Sequence, residues 1–535
     1  MTNKLEKQIY YQPVKLEEML RARDLRLARQ KRLLSETGLP LLSMTLNIPG
    51  NVKRTRLSVL FFNNEVKRLK DVLKGLGAKI EHENILREKT GDEALFAIKG
   101  LSAHAVKRLA IALEDQSPAS RLLDLDVIDQ DGSQISRSAL GDSPRRCLLC
   151  DQPASICARS RAHDTNALDR ETKRRMMQAV AGEASARMAA NASEASSFEL
   201  MVSKKPGLVT MQSSGSHDDM DRFTFGRAQS VFYSYYEAAF RIGFFSEEYV
   251  SLESFEVYEC RGNRASNRVK SDEHPAAIKT MPALSQNDAQ KLRLEGIFAE
   301  QRMFDSTEGV NTHRGWIYMS GVLLAAMGLF FRGALGEDAT LFEKSDTLKD
   351  RFQFLIIKVA EALEHVVNNS PFFEQVRAVL PVASEASGVR QEALKGFPSI
   401  MDTGLPVMTS VYCSLGSNST EYDDAMGRRV FLALLGVIDD TTVTKRGGSL
   451  RSNTLRTFLL NYWVPDVRLQ DDEWITAWIE ALIKADDSSI DACLSLLELQ
   501  FEEERLTAGG TADALAGTRL VNSFFRDITN MLLFC

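Results

Sequence analysis

"DRETKRRMMQAVAGEASARMAANASEASS", Asp169–Ser197, divides the chain into two textures. The stretch is rich in Ala, Met, Glu and Arg, which are strong helix formers, and it reads as a linker over 166–185 that merges into a helix. Before it, helical and strand patterns alternate. "KLEEMLRARDLRLARQKRLL" (15–34) has helical periodicity. "PLLSMTLNIPG" (40–50) reads as a strand closed by Pro-Gly. "RTRLSVLFFNNEVKRLKDVLKGLG" (54–77) reads as a helix stopped at glycine. "SAHAVKRLAIALE" (102–114) reads as a helix between the strands "EALFAIKG" (93–100) and "RLLDLDVID" (121–129). That order predicts an α+β or α/β domain over 1–165, with a nucleotidyltransferase-like fold among the arrangements it allows. After the divide, strand signals nearly vanish. Patterns such as "AQSVFYSYYEAAFRIGFF" (228–245) and "IDACLSLLELQFEEERL" (490–506) predict a mainly all-helical domain over 186–535.

The composition narrows the function classes. The chain has 535 residues, 44% hydrophobic, a net charge of −6 and a sequence pI near 5.8. Length and apolar content suit two or three domains. The acidic balance argues against a protein built to wrap nucleic acid. No secretory h-region is seen at the start. The run "GWIYMSGVLLAAMGLFF" (315–331) is slightly short for a membrane span and predicts a buried core helix. The expectation is a soluble, cytoplasmic protein that binds neither nucleic acid nor membrane. The seven cysteines are an odd number and give no secreted disulfide framework.

In the first half, "RLLDLDVID" puts Asp124 and Asp126 on one face of a strand and Leu123, Leu125 and Val127 on the other. Paired carboxylates repel, and Mg²⁺ relieves the repulsion while binding substrate phosphates. Nucleotidyl transfer is the chemistry such a pair suits. The alternative is an edge strand with a polar outer face. Downstream, "PRRCLLCDQPASICARSRAH" (144–163) offers Cys147, Cys150, Cys157 and His163 as a tetrahedral zinc set. The alternative is three reduced cysteines beside a basic loop, whose Arg145, Arg146, Arg159 and Arg161 suit phosphates.

Together with "RARDLRLARQ" (21–30), "LNIPGNVK" (46–53) and "ISRSALGDS" (135–143), these stretches resemble the apo-citrate lyase phosphoribosyl-dephospho-CoA transferases. The resemblance implies transfer of a phosphoribosyl-dephospho-CoA group to a serine of the lyase's acyl carrier (gamma) subunit, with release of pyrophosphate. It adds Arg23, Asp24, Arg26, Arg29 and Gln30 as motif positions, of which Arg23 and Arg26 are candidate phosphate ligands. A helix with these arginines could equally present a solvated face.

The second half carries Gly/His/Asp/Arg loops at helix edges. "KKPGLVTMQSSGSHDDMD" (204–221) gathers Lys205, His217, Asp219 and Asp221. "EGVNTHRGWIYMSG" (308–321) puts Asn311, His313 and Arg314 before the apolar helix, where free backbone N–H groups favour phosphate. "SGVRQEALKGFP" (387–398) holds Arg390 and Glu392. "GVIDDTTVTKRGG" (436–448) holds Asp439, Asp440, Arg446, Gly447 and Gly448. "ERLTAGGTADALAGT" (504–518) holds Gly509, Gly510 and Asp513. Each segment alone reads equally as a helix stop or a satisfied structural residue. Converging at one end of a bundle, they would make a polyphosphate–metal pocket.

These pieces, in this order, resemble the triphosphoribosyl-dephospho-CoA synthases. The resemblance implies an all-helical fold. It also implies a reaction joining the 2′-hydroxyl of 3′-dephospho-CoA to ribose C1′ of ATP, with expulsion of adenine. Such a reaction needs carboxylates near a cationic C1′, a general base, and Mg²⁺ with cations on the triphosphate. Asp219, Asp221, Asp440 and Asp513 are the candidate carboxylates, Asp219 and Asp440 among them as Mg²⁺ ligands. His217 or His313 is the candidate base, and Lys205, Arg314, Arg390 and Arg446 are candidate phosphate ligands. The chain departs from the family at Arg314, Gln391 and Thr442, where Lys, Gly and Asn are usual. "RGNRASNRVKSDEHPAAIKT" (261–280) and "NNSPFFEQVRAVLPVASEASG" (368–388) match it poorly. Other classes consistent with the residues are a zinc-containing interaction scaffold and a transferase fused to a degenerate synthase half.

Overall fold

The computed structural model describes residues 10–251, 280–336, 345–369, 388–415, 420–468 and 473–534. The two poorly matching segments and Cys260 and Cys535 lie wholly or almost wholly outside them. The chain divides into two compact units at Glu183/Ala184.

The first unit runs α1 (Leu16–Thr37), β1 (Leu41–Leu46), α2 (Arg56–Gly75), β2 (Lys79–Glu88), β3 (Gly91–Lys99), α3 (Ala103–Asp115), β4 (Leu123–Ile128) and α4 (Ala154–Ser160). The sheet order is β2-β3-β1-β4, antiparallel throughout. This is the split βαβ arrangement. The central strand β1 begins with the buried run Leu41–Met44, as a strand flanked on both sides requires. Thr55 caps α2, its Oγ1 accepting from Ser58 N at 3.0 Å. In β4 burial alternates: Leu123, Leu125 and Val127 are inside, and Asp124 and Asp126 are half-exposed on the other face. Register sets Asp124 opposite Thr45 and Asp126 opposite Ser43. The edge strand β2 escapes the sequence reading because its mostly charged and half-exposed residues blur the two-residue period.

Residues 166–185, expected as a linker, lie inside one continuous helix, α5 (Thr165–Met201). The second unit, Ala184–Asn530, is mainly helical. Its elements are α6 (Arg222–Gln229), α7 (Tyr233–Phe245), a two-stranded β5 (Glu248–Ser251) and β6 (Thr280–Ala283), α8 (Gln286–Ser306), α9 (Arg314–Ala334), α10 (Ser345–Asn368), α11 (Val389–Leu394), α12 (Leu405–Leu415), α13 (Thr420–Val437), α14 (Thr441–Gly447), α15 (Ser449–Trp463), α16 (Trp474–Lys484), α17 (Asp487–Glu503) and α18 (Gly509–Phe534). The apolar helix α9 is long enough to cross a membrane, yet 83% of its apolar window is buried inside the protein. It packs on α7, α8 and α10 as the core helix of the unit. Trp316 Nε1 donates to Tyr236 Oη at 2.8 Å, and Tyr235 Oη donates to Ile317 O at 2.7 Å.

Candidate functional sites

Each unit assembles a polar site. In the first, the end of β1, the following loop, the start of β3, α1 and Asp124 enclose a cavity of about 190 Å³. Its charged lining is Arg26, Lys53, Asp92, Glu93 and Asp124. Glu93 holds Arg26 (Nε at 2.9 Å, Nη2 at 2.7 Å) and Arg29 (Nη2 at 2.5 Å). Asp92 is held by Arg54 at 2.8 Å, a buried pair, and by Arg87 at 2.7 Å. Lys53 donates to Ile48 O, and burial lowers its pKa. Of the α1 arginines, Arg26 lines the cavity. Arg23 and Asp24 face solvent, and Gln30 is buried. Lys53, Asp92 and Glu93 were not singled out from sequence. "LNIPGNVK" carried the signal for Lys53, but nothing in an isolated "GDE" marks a strand start.

Beside β4, Arg145, on the loop that follows it, joins three elements. Its Nη1 lies 3.1 Å from Asp124 Oδ1, its Nη2 2.6 Å from Glu114 Oε1, and Nη2 also reaches Leu123 O. Buried Glu114 further accepts from Leu125 N at 2.8 Å and Arg137 Nη2 at 2.6 Å. Asp126 accepts from Gln134 Nε2 at 2.6 Å. Burial, then the Asp124 charge beside it, raises the Asp126 pKa. Arg146 points to solvent near Asp151.

Cys147, Cys150, Cys157 and His163 come together, their donor atoms all within 4.8 Å of one another. Cys150 Sγ is 3.5 Å from Cys157 Sγ and 3.3 Å from His163 Nε2. Zinc bonds of 2.0–2.3 Å at tetrahedral angles put ligand atoms about 3.5–3.8 Å apart. The set has the donors and spacing of a metal site, and the cysteines are free thiols.

In the second unit the opening turn of "KKPGLVTMQSSGSHDDMD" folds tightly on itself. Gly207 and Gly215 both have positive φ, +70° and +56°, and a Cβ on either would overlap neighbouring backbone. The turn buries Lys205 completely, where its Nζ donates to Glu199 O at 2.6 Å and to the Glu199 carboxylate. His217 Nε2 is 3.0 Å from Thr507 Oγ1, and its Nδ1 is 3.7 Å from Asp219. Burial, then Arg446, lowers the His217 pKa. Asp219 is 64% exposed, whereas Asp221 caps α6 through Phe223 N and Thr224 N at 3.0 and 2.9 Å.

The N-terminal ends of α9, α14 and α18 carry the next residues. Asp440 caps α14, Oδ1 accepting from Thr442 N at 2.9 Å, while Oδ2 accepts from Thr511 N at 2.7 Å and Thr511 Oγ1 at 3.0 Å. Thr442 Oγ1 accepts from Gly509 N at 2.8 Å and lies 2.6 Å from Asp440 Oδ1. Where the family usually has Asn, this hydroxyl therefore ties α14 to the Gly509–Gly510 turn. Asp513 is half-buried, its carboxylate packed against Gly315, the second residue of α9. Burial, then the Glu199 and Asp440 charges, pushes its pKa well above the usual carboxylate value. His313 caps the start of α9 between Phe225 and Phe232, with ring centroids at 4.7 and 5.5 Å. Its Nδ1 is 2.7 Å from Thr312 Oγ1, and its Nε2 is buried with no hydrogen-bond partner among the described residues. Burial, then Lys205, pushes its pKa down to about 3.

Lys205, Glu199, His313, Asp440, Asp513 and the Gly509–Gly510 turn thus form one linked group, with His217 joined to it through Thr507 and Thr442. Glu199 was missed, because a lone Glu in a helical run has no motif. Of the other candidates, Arg446 lies at the edge of this group beside His217, and the rest sit outside it. Arg314 is 70% exposed and pairs with Glu300 at 2.8 Å. Asn311 accepts from Arg314 N at 3.3 Å. Arg390 lies 5.8 Å over the Tyr318 ring near Glu364. Glu392 accepts from Ser399 Oγ at 2.8 Å. Arg446 donates to Arg505 O at 2.9 Å, beside the exposed Gly447 and Gly448.

Comparison with known proteins agrees with this division. Residues 14–179 match the family model described as apo-citrate lyase phosphoribosyl-dephospho-CoA transferase. Residues 185–529 match that described as ATP:dephospho-CoA triphosphoribosyl transferase. The chain is 28% identical to "Protein CitXG" of Haemophilus influenzae, over 96% of each chain. It is 28% identical to "Protein CitXG" of Leuconostoc mesenteroides subsp. cremoris, over 81% of this chain and 84% of that one. It is 39% identical to a probable apo-citrate lyase phosphoribosyl-dephospho-CoA transferase of Vibrio cholerae, over 29% of this chain and 87% of that one. The chain is a bifunctional transferase that belongs to both families, the apo-citrate lyase phosphoribosyl-dephospho-CoA transferases through its first unit and the ATP:dephospho-CoA triphosphoribosyl transferases through its second.

Proposed function

We propose that the two units perform consecutive steps in making and attaching the citrate lyase prosthetic group. The second unit joins the 2′-hydroxyl of 3′-dephospho-CoA to ribose C1′ of ATP and releases adenine. The first transfers phosphoribosyl-dephospho-CoA from that product to a serine of the apo-citrate lyase acyl carrier protein and releases pyrophosphate. Both would act in the cytoplasm, where ATP and CoA precursors are found. The scaffold reading is not favoured, since both halves match transferase families.

The observation that carries the synthase reading is the joining of half-buried Asp513, neutral His313 and the ends of three helices. Helix N-termini favour a triphosphate. His313 stays neutral at working pH, and so low a pKa suits its Nε2 to a hydrogen bond with substrate and leaves His217, beside Asp219, as the candidate base for the 2′-hydroxyl proton. Asp513, with its raised pKa, can hold a proton for the departing adenine, or a charge beside C1′ once ionised. Asp440 has both oxygens occupied by backbone and threonine donors, so it suits organising the phosphate-binding turns better than binding Mg²⁺. The exposed Asp219 is the carboxylate open to Mg²⁺ with the triphosphate oxygens.

In the first unit, Asp124 and Asp126 fit Mg²⁺, because their mutual repulsion and the burial of Asp126 are relieved by a cation. When bound, the ion neutralises charge on the leaving pyrophosphate. Arg26, Lys53 and Arg145 supply the remaining positive charge. The Cys147/Cys150/Cys157/His163 set suits Zn²⁺, with thiolate and imidazole donors at tetrahedral spacing.

The test is adenine release from ATP in Mg²⁺ buffer, with and without 3′-dephospho-CoA, followed by addition of apo-carrier protein. Adenine release that needs dephospho-CoA, then pyrophosphate release that needs the carrier, is the expected result. Pyrophosphate release from supplied precursor without any adenine release would leave only the transferase.

A further inference from the structure

The segment from Gly141 to His163 has almost no apolar packing of its own. Among its residues only Cys147 and Cys157 are buried; Leu148 is half-buried, and Leu149 and Ile156 are 38% and 54% exposed. Two backbone bonds close the hairpin, Cys147 N donating to Gln152 O at 2.8 Å and Ala154 N to Arg145 O at 2.8 Å, while from outside it Arg175 Nη2 donates to Leu148 O at 2.7 Å and Arg121 Nη2 to Arg146 O. α4 ends with Arg161 in the left-handed region, which turns His163 back toward Cys150. A segment with no apolar core needs another source of cohesion, and a structural metal is one that small motifs use.

This segment also delivers Arg145. Its backbone carbonyl pairs with Ala154 N inside the Cys hairpin, while its guanidinium spans Asp124 and Glu114. Only Arg146 separates Arg145 from the first thiol. Fixing Cys147 therefore fixes the start of the side chain that holds Asp124.

We propose that one Zn²⁺ on Cys147, Cys150, Cys157 and His163 serves as a positioning device for the transferase site, by clamping the hairpin that sets Arg145 against Asp124. The inference rests on the zinc reading of the cluster. The ion takes no part in the transfer. Arg145 is the positioning residue through which it acts.

The test uses the full-length chain. Elemental analysis is expected to find one zinc per chain, and Co²⁺ put in its place to give intense thiolate-to-cobalt absorption. Cys150→Ser and His163→Ala are expected to lose the metal. Their pyrophosphate release from supplied precursor and apo-carrier should fall about 10- to 100-fold, the range for partners that orient a site. Adenine release, made by the other unit, reports that the rest of the chain is folded and should stay unchanged. Arg145→Ala should show a similar loss, and adding Cys150→Ser to it should cost nothing more. No zinc and no cobalt–thiolate band would overturn the metal reading itself. Stoichiometric zinc with losses that multiply in the Arg145→Ala/Cys150→Ser chain would keep the metal and overturn the positioning role.

Discussion

The carboxylate of Asp513 fills the space that a Cβ on Gly315 would occupy. The start of α9 and the start of α18 therefore meet where only glycine fits, and Asp513 cannot swing away without leaving the group it shares with Glu199 and Asp440. Alanine would otherwise suit a first helical turn. Gly315→Ala should instead destabilise the second unit by about 1–3 kcal/mol, as overpacking does, and cut adenine release at least about tenfold by displacing Asp513. Urea unfolding and an adenine assay check this. A variant with unchanged stability and turnover would show that Asp513 is free to move.

His313 makes stability depend on pH with a definite sign. Its folded pKa, about 3, lies below its ordinary value of 6.5. Between those values the unfolded chain binds more protons, so stability rises with pH. The contribution is complete above pH 6.5 and is lost as pH falls toward 3, at up to about 1.4 kcal/mol per unit. Asp513 acts oppositely: its raised pKa makes the fold lose stability as pH rises above the ordinary carboxylate value. The two are separated by comparing variants one at a time. His313→Gln should lose less stability than the unmodified chain between pH 6.5 and 5, by roughly 2 kcal/mol. Parallel stability curves for the two chains would mean that His313 charges inside the fold.

The two activities should separate cleanly by mutation. Asp124→Asn removes one of the paired carboxylates and loosens Arg145, whose Nη1 lies 3.1 Å from it. Pyrophosphate release from supplied precursor should fall by about 10²–10³-fold, the scale for losing a group that stabilises developing charge. Adenine release from ATP and dephospho-CoA should be unaffected. Equal loss of both would mean that Asp124 serves the fold of the whole chain.

What could be read from the sequence follows from how local each signal was. Asp124 and Asp126 were legible because a strand's two-residue period is carried by five adjacent residues. The Cys147/Cys150/Cys157/His163 cluster was legible from short-range spacing. The buried character of α9 was legible from its unbroken apolar run. Glu199 and Glu114 were not, because each acts through partners brought close only by folding, and neither stands in a motif. Arg314 and Arg446 were both proposed for the pocket by charge and position beside glycines; Arg314 pairs with Glu300 at the surface, whereas Arg446 bonds to the carbonyl of Ser216, next to His217. Sequence gives the charge of a helix terminus but not which way a long side chain leaves it. Thr442, a departure from the family, takes part in the same turn by accepting Gly509 N.

Lys205 and Glu199 form a fully buried ion pair beside this group, with Lys205 Nζ also bonded to Glu199 O at 2.6 Å. Burial lowers the Lys205 pKa and the Glu199 charge opposes that shift, so each charge depends on the other. Breaking a buried pair from one side leaves an uncompensated charge and costs about 3–5 kcal/mol, whereas replacing both partners with apolar residues is often neutral. Lys205→Met should therefore be strongly destabilising, and Lys205→Met with Glu199→Leu should recover most of the loss. Adenine release should not recover with it, because Lys205 also helps keep His313 neutral and Glu199 helps keep the Asp513 pKa high. Urea midpoints and adenine release measured on both chains decide between the roles. If activity returned along with stability, the pair would be a structural tie and nothing more, and the charges around Asp513 and His313 would have to be set by the remaining carboxylates and by burial.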